Sequence, residues 1–181
     1  MALTPTIYRA VITLSDVDHE RYERLQVTVA RHPSETAERL VARLLAYALA
    51  YEEGLVFTKG IAAGDEPDLW RKGPDGRVRL WVEVGLPEPE RLRKSARHAE
   101  QVILFTCGSN RQRWEREHLP RLSQTGNLTI YALDAMLLQG LVERLERGID
   151  WSLTISGGTL YLTVTGTTLE ASLPLLLQPG G

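Results

Sequence analysis

Apolar and polar residues alternate at the two ends of this chain and follow a longer period in its middle. Over 7–14, Ile7-Tyr8-Arg9-Ala10-Val11-Ile12-Thr13-Leu14, the alternation predicts a strand. Residues 15–18 predict a turn. Leu25, Val27 and Val29 recur at period two over 22–30, which predicts a returning strand and so an N-terminal hairpin. A second hairpin is predicted over 151–156 and 159–164 around Gly157-Gly158, pairing Ile155 with Leu160 and Leu153 with Leu162.

Between the hairpins the period lengthens. Ser34, after His32-Pro33, predicts a helix N-cap, and Gly54 predicts the stop after about residue 53. Leu40, Val41, Leu44, Leu45, Ala48 and Leu49 form the apolar stripe; Glu35, Arg39 and Arg43, four apart, are expected on the wet side. Glu38 shares an edge of the stripe, which suits either a border glutamate paired with Arg39 or Arg43, or an acid placed over a site. A short strand over 54–60 and a loop over 61–64 follow. Pro87-Glu88-Pro89-Glu90 opens a helix through about residue 100. Next come a strand over 101–106, a helix bearing Trp114, Leu119 and Leu122, and a strand over 128–131. Asp134 is expected to cap a helix carrying Met136, Leu137, Leu141, Val142 and Leu145 that ends at Gly148. The tail over 178–181 is expected to fray.

The middle also holds the candidate chemistry. Asp68 and Glu83 lie on two strand-like runs joined by Gly73-Pro74-Asp75-Gly76. If Gly73 faces Gly76, then Asp68 faces Trp81, and Asp68, Trp81 and Glu83 share one face. The two acids are then diagonal neighbours, roughly 7–8 Å apart at the backbone, close enough to share a hard cation that prefers oxygen ligands. The plainer alternative is a carboxylate paired with an arginine, such as Arg79. Glu83, however, interrupts the apolar, β-prone run 78–84, where a charge is costly unless paired or ligated.

Composition narrows the class. The 181 residues, 43% hydrophobic and 24% charged, suit one soluble domain over 1–181. No apolar run approaches the ~20 residues of a membrane span, and residues 1–5 have no signal-peptide pattern, so no membrane contact is expected. The single cysteine, Cys107, rules out an internal disulfide, suits the cytoplasm, and is expected to be buried. A net charge of −2 exerts no overall pull on nucleic acid. Locally, Arg91, Arg93, Lys94, Arg97 and His98 form a basic run, and Arg111, Arg113, Arg116 and Arg121 a second; each is either a solvated helix face or a phosphate-contacting one. His19, His32, His98 and His118 lie in polar stretches and are expected at the surface. No Ser-His-Asp order and no metal-binding histidine pair is present.

The order helix, strand, strand, strand, helix, strand, with a Pro-Asp and a later Glu on adjacent strands, resembles the core of the PD-(D/E)XK nuclease superfamily. A longer series of motifs resembles the bacterial YaeQ family. It comprises Ser15-Asp16-Val17-Asp18, the run 29–36, Arg43-Leu44-Leu45-Ala46-Tyr47, Phe57-Thr58-Lys59-Gly60, Asp65-Glu66-Pro67-Asp68-Leu69-Trp70 and the run 80–87. That family is regarded as a nuclease-fold variant without an established activity. The resemblance implies an α/β, restriction-endonuclease-like mixed β-sheet flanked by helices, with N-terminal and C-terminal β-hairpins, and a cavity lined by Glu38, Asp68 and Glu83. It further implies a metal-dependent nuclease or nuclease-like phosphodiesterase in which Asp68, Glu83 and the Val84 carbonyl hold Mg²⁺ or Mn²⁺. Glu38 would bind a second metal or orient water.

One position departs from the nuclease pattern: Gly85 stands two residues after Glu83, where an active member carries lysine. Either catalysis is lost, or a cation reaches in from the next helix. Arg93, Lys94 and Arg97 are the candidates, with Lys94 preferred because a lysine can tune its pKa and an arginine cannot; Lys59 stands second. The alternative to an enzyme is a non-catalytic nuclease-fold protein that binds nucleic acid or a protein partner in transcription or repair. An enzyme of another class using the same acids has least support.

Overall fold

The computed structural model describes residues 3–59 and 64–180. Most of the loop expected over 61–64, and Gly60 of the strand expected before it, lie outside these residues, as do Met1, Ala2 and Gly181. The chain is mixed α/β, with two sheets and four helices among the described residues. Its residues group into two compact units, 1–44 with 134–173 and 45–133 with 174–181.

The first unit is built on a sheet ordered β10-β9-β8-β1-β2. Its strands are β1 (Thr6–Asp16), β2 (Arg21–Arg31), β8 (Gly148–Ser156), β9 (Thr159–Val164) and β10 (Thr167–Ser172). Both expected hairpins are present, and the second has the expected register, Ile155 with Leu160 and Leu153 with Leu162. β1 and β8 join the hairpins by parallel pairing, Arg9 with Gly148 through Asp16 with Ile155. Period-two alternation buries Tyr8, Ala10, Ile12 and Leu14 on one side of β1. The Asp18 carboxylate accepts the N–H groups of Gly157 and Gly158, at 2.7 and 2.9 Å, and so clamps the β8–β9 turn. These bonds hold its pKa below the ordinary value.

Helix α1 (Ala37–Leu49) starts and stops inside the expected limits. Its first-turn cap is Thr36, whose hydroxyl accepts the Arg39 N–H at 3.1 Å, in place of Ser34. It has no broad wet side, because every residue from Leu40 to Ala48 is buried. Ala42 and Ala46 turn the stripe into an apolar girdle, the pattern of a core helix. Arg43 and Glu35, expected in water, are buried as a bidentate pair with two bonds of 2.7 Å. In α4 (Ala135–Glu143) Asp134 caps as expected, accepting the Leu137 N–H at 2.8 Å. The helix ends five residues before Gly148, which instead opens β8.

The second unit carries a six-stranded sheet ordered β11-β7-β6-β5-β4-β3. Its strands are β3 (Val56–Phe57), β4 (Leu69–Lys72), β5 (Val78–Val84), β6 (Ala99–Thr106), β7 (Leu128–Ala132) and β11 (Leu175–Leu177). β5, β6 and β7 run parallel, while β4 pairs antiparallel with β5. The parallel strands are connected through α2 (Pro89–His98) and α3 (Arg111–Leu122). Trp81, Leu92, Val102, Leu104, Trp114, Leu122 and Leu128 form a common core cluster. Cys107 is buried just beyond β6. His118 is only one-fifth exposed at its side chain, because its ring meets the edge of Trp114 at 5.4 Å. The other three histidines are at the surface as expected.

Candidate functional site

Asp68 and Glu83 meet by a different register from the expected one. Gly76 N–H bonds the Gly73 carbonyl at 2.9 Å, but Gly73 N–H bonds the Arg77 carbonyl at 2.8 Å, so Gly73 faces Arg77, one residue beyond the expected partner. A second irregularity falls between Arg71 and Lys72, after which Trp70 faces Trp81 and Leu69 faces Val82. Either slip alone would turn the strand over. Together they preserve the face and move the pairing by two. Continued one step, the register sets Asp68 opposite Glu83 instead of diagonal to it.

The ladder breaks at Asp68. Its N–H donates to the Val82 carbonyl at 3.1 Å, and its carbonyl accepts the Thr58 N–H at 3.1 Å. Its side chain then takes over the backbone's task, with Oδ2 accepting the Val84 N–H at 2.8 Å. The Asp68 carboxylate is thereby oriented at the carboxyl end of β5, where parallel strands present ligand sites. Thr58 also donates its hydroxyl to the Pro67 carbonyl, tying the start of β4 to β3.

Glu83 is 4% exposed. Its Oε1 accepts the Trp81 indole N–H at 3.1 Å and the Arg91 Nε–H at 2.6 Å. Burial pushes its pKa above the ordinary value of 4.5; Arg91 and Trp81 pull it back, and the negative charge of Asp68 adds to the rise. Arg79, the partner suggested by face alone, pairs instead with Glu100 and Asp75.

Arg91 is the residue that motif reasoning passed over. It belongs to the basic run, whose residues 93, 94 and 97 are the motif's candidates for the missing cation. The signal was present: a buried glutamate in an apolar strand needs a counter-charge, and Arg91 is the first basic residue after it, in the opening turns of α2. Arg93 turns outward to Glu90 and the Arg121 carbonyl, and Arg97 also pairs with Glu90. Lys59 is exposed, and its backbone N–H meets Glu66 at 3.4 Å. Lys94 is exposed and lines a cavity of about 340 Å³ with Asp65, Trp81, Arg91, Ser95 and His98. A larger cavity of about 380 Å³ lies in the first unit, but its acids Glu146 and Asp150 are exposed, and it gathers no buried charge.

Glu38 is exposed in the first turn of α1 and belongs to the first unit. Among the described residues no three Asp, Glu, His or Cys side chains are grouped to hold a metal ion. Asp68 and Glu83, both buried and set opposite one another by the register, are oxygen donors of the kind a hard dication takes.

The comparisons with known proteins agree with one another. The family model described as YaeQ protein matches residues 1–173. The uncharacterised YaeQ proteins of Salmonella typhi and Escherichia coli (strain K12) are 38% and 36% identical over 180 residues, 99% of both chains in each case. The crystal structure of the YaeQ protein from Xanthomonas axonopodis pv. citri superposes with a TM-score of 0.93 at 31% identity, covering 97% of this chain and 100% of that one. The one from Pseudomonas syringae gives 0.91 at 40% identity, with 98% of each chain covered. With a family model matching residues 1–173 and relatives and structures covering nearly all of both chains, the chain belongs to the YaeQ family.

Proposed function

We propose that the second unit is a nuclease-like, metal-dependent phosphodiesterase site of restriction-endonuclease-like architecture, acting on nucleic acid with Mg²⁺ or Mn²⁺. One observation carries this reading: two buried carboxylates, Asp68 and Glu83, face one another beside the carboxyl end of a central strand, and Trp81 and Arg91, which hold Glu83, line a cleft with Lys94 and His98. Asp68, Glu83 and the Val84 carbonyl would hold the ion. A dication bound there lowers the pKa of a coordinated water and offsets charge on the scissile phosphate. The Val84 N–H keeps the Asp68 carboxylate aimed. Lys94, on the exposed face of α2, replaces the lysine absent at Gly85 by donating to a phosphate oxygen, and His98, one turn further along the same helix, adds a ring nitrogen that can donate to the backbone.

A second reading has its own observation. Arg91 already neutralises Glu83, as befits a nuclease fold that binds nucleic acid or a protein partner in transcription or repair without cutting. Cleavage assays on single- and double-stranded DNA and RNA with Mg²⁺ and Mn²⁺ decide between them. The catalytic reading expects metal-dependent cleavage, abolished by Glu83→Ala and reduced at least about a hundredfold by Lys94→Ala with the fold unchanged, as for loss of one transition-state charge contact. No cleavage by the unaltered protein with either metal rejects it, and anisotropy titration with the same nucleic acids then tests the binding alternative.

A further inference from the structure

Arg91 makes three contacts with three different nitrogens. Its Nε–H reaches Glu83 Oε1 at 2.6 Å, one terminal nitrogen the Gly64 carbonyl at 2.6 Å, and the other the Glu66 carbonyl at 2.8 Å. A guanidinium is a rigid planar fork, so it cannot release the carboxylate and keep both carbonyls in place. Its side chain is 36% exposed, which gives it water to swing into. The Glu83 carboxylate is almost fully buried and cannot follow. A dication on Glu83 would face a like charge within hydrogen-bonding distance of the same oxygen, an arrangement a buried site does not tolerate.

Resting on the metal reading above, we propose that Arg91 is a latch: it occupies the cation position on Glu83 in the metal-free protein, and metal binding expels it and so releases the 64–66 segment from α2. The released segment carries Asp65, which lines the cleft beside Lys94, and it leads directly into Pro67 and Asp68. Loading the metal therefore opens the cleft at the place where a phosphate must enter. The coupling is reciprocal: whatever pulls 64–66 away from α2 tightens metal binding by the same factor.

The test uses the full chain with Mn²⁺ alone as the probe. Calorimetric titration of the unaltered protein and of Arg91→Met, which keeps the aliphatic stem, should show Mn²⁺ binding about tenfold tighter in the variant, the scale of one partly exposed ion pair removed. Amide hydrogen exchange of the unaltered protein should speed up over 64–68 when Mn²⁺ is added; in Arg91→Met it should be fast with or without the ion. The exchange measurement on the unaltered protein needs no variant, so it stands if Arg91→Met folds poorly. Equal or weaker Mn²⁺ binding by a folded variant, or exchange over 64–68 that slows or stays constant on adding Mn²⁺, overturns the latch while leaving metal binding intact. Absence of Mn²⁺ binding at millimolar concentration in both proteins overturns the latch together with the metal reading.

Discussion

At the residue scale, Glu83 concentrates the electrostatic cost of the site. Its pKa is raised in the folded protein, chiefly by burial, so the folded state holds this proton more tightly than the unfolded state does. The carboxyl therefore imposes no ionic penalty at pH values below 4.5 and an increasing one as pH rises through the raised value. Chemical denaturation across this range should show the unaltered protein losing stability relative to Glu83→Gln as pH rises. The opposite slope would mean that Arg91, and not burial, dominates. Two residues on, Gly85 has φ of +118°, a conformation that residues with a Cβ rarely adopt. Its surroundings are open, so the obstacle to a side chain is backbone strain and not space. Gly85→Lys should thus destabilise the protein by about 1–2 kcal/mol without conferring cleavage, checked by urea unfolding and the nuclease assay. Asp68 and Glu83 were legible in the sequence because a Pro-Asp and a glutamate inside an apolar strand break local rules. Arg91 was hidden among five basic residues, since which of them turns inward depends on where α2 begins relative to β5.

At the scale of elements, the close approach of α4 and β10 supplies a clean test. Gly140 lies inside α4, where alanine would ordinarily favour the helix. A Cβ there would lie 2.9 Å from Leu169 Cδ1 on β10. The clashing atom is the tip of the half-buried Leu169 side chain, which can shift, so Gly140→Ala should forfeit most of the ~1 kcal/mol alanine gains in an open helix and Leu169→Ala should restore that gain; urea midpoints for the single and double variants measure both. The hairpins were readable because period-two alternation and Gly157-Gly158 act locally. β10 escaped detection because 167–172 reads Thr-Thr-Leu-Glu-Ala-Ser, with little apolar contrast, and is set by its pairing with β9. The face of α1 was misread for a related reason. Alanines count weakly in an apolar stripe, yet here Ala42 and Ala46 mark a helix enclosed on all sides, with Arg43 neutralised by Glu35. The expected Gly73–Gly76 register failed because a bulge leaves no mark in composition.

At the scale of the whole molecule, no described helix is long and apolar enough to cross a membrane. The mixed α/β class was predictable from the order of periodicities. The merging of the two terminal hairpins into one sheet was not, since parallel pairing of β1 with β8 joins segments about three-quarters of the chain apart. That pairing has a consequence for how the protein is made. β1 and β2 leave the ribosome first, but the partner of β1's other edge is more than 130 residues away. At about 5–20 residues per second the edge stays open for roughly 7–28 s, presenting Tyr8, Ala10, Ile12 and Leu14 beside an unpaired row of backbone groups. A chain stopped at residue 147 should therefore bind a hydrophobic dye and pellet on centrifugation, whereas the full chain stays in solution; a soluble, dye-silent fragment would contradict this. The exposure lasts as long as synthesis of the intervening chain, so a pause before residue 148 lengthens it in proportion.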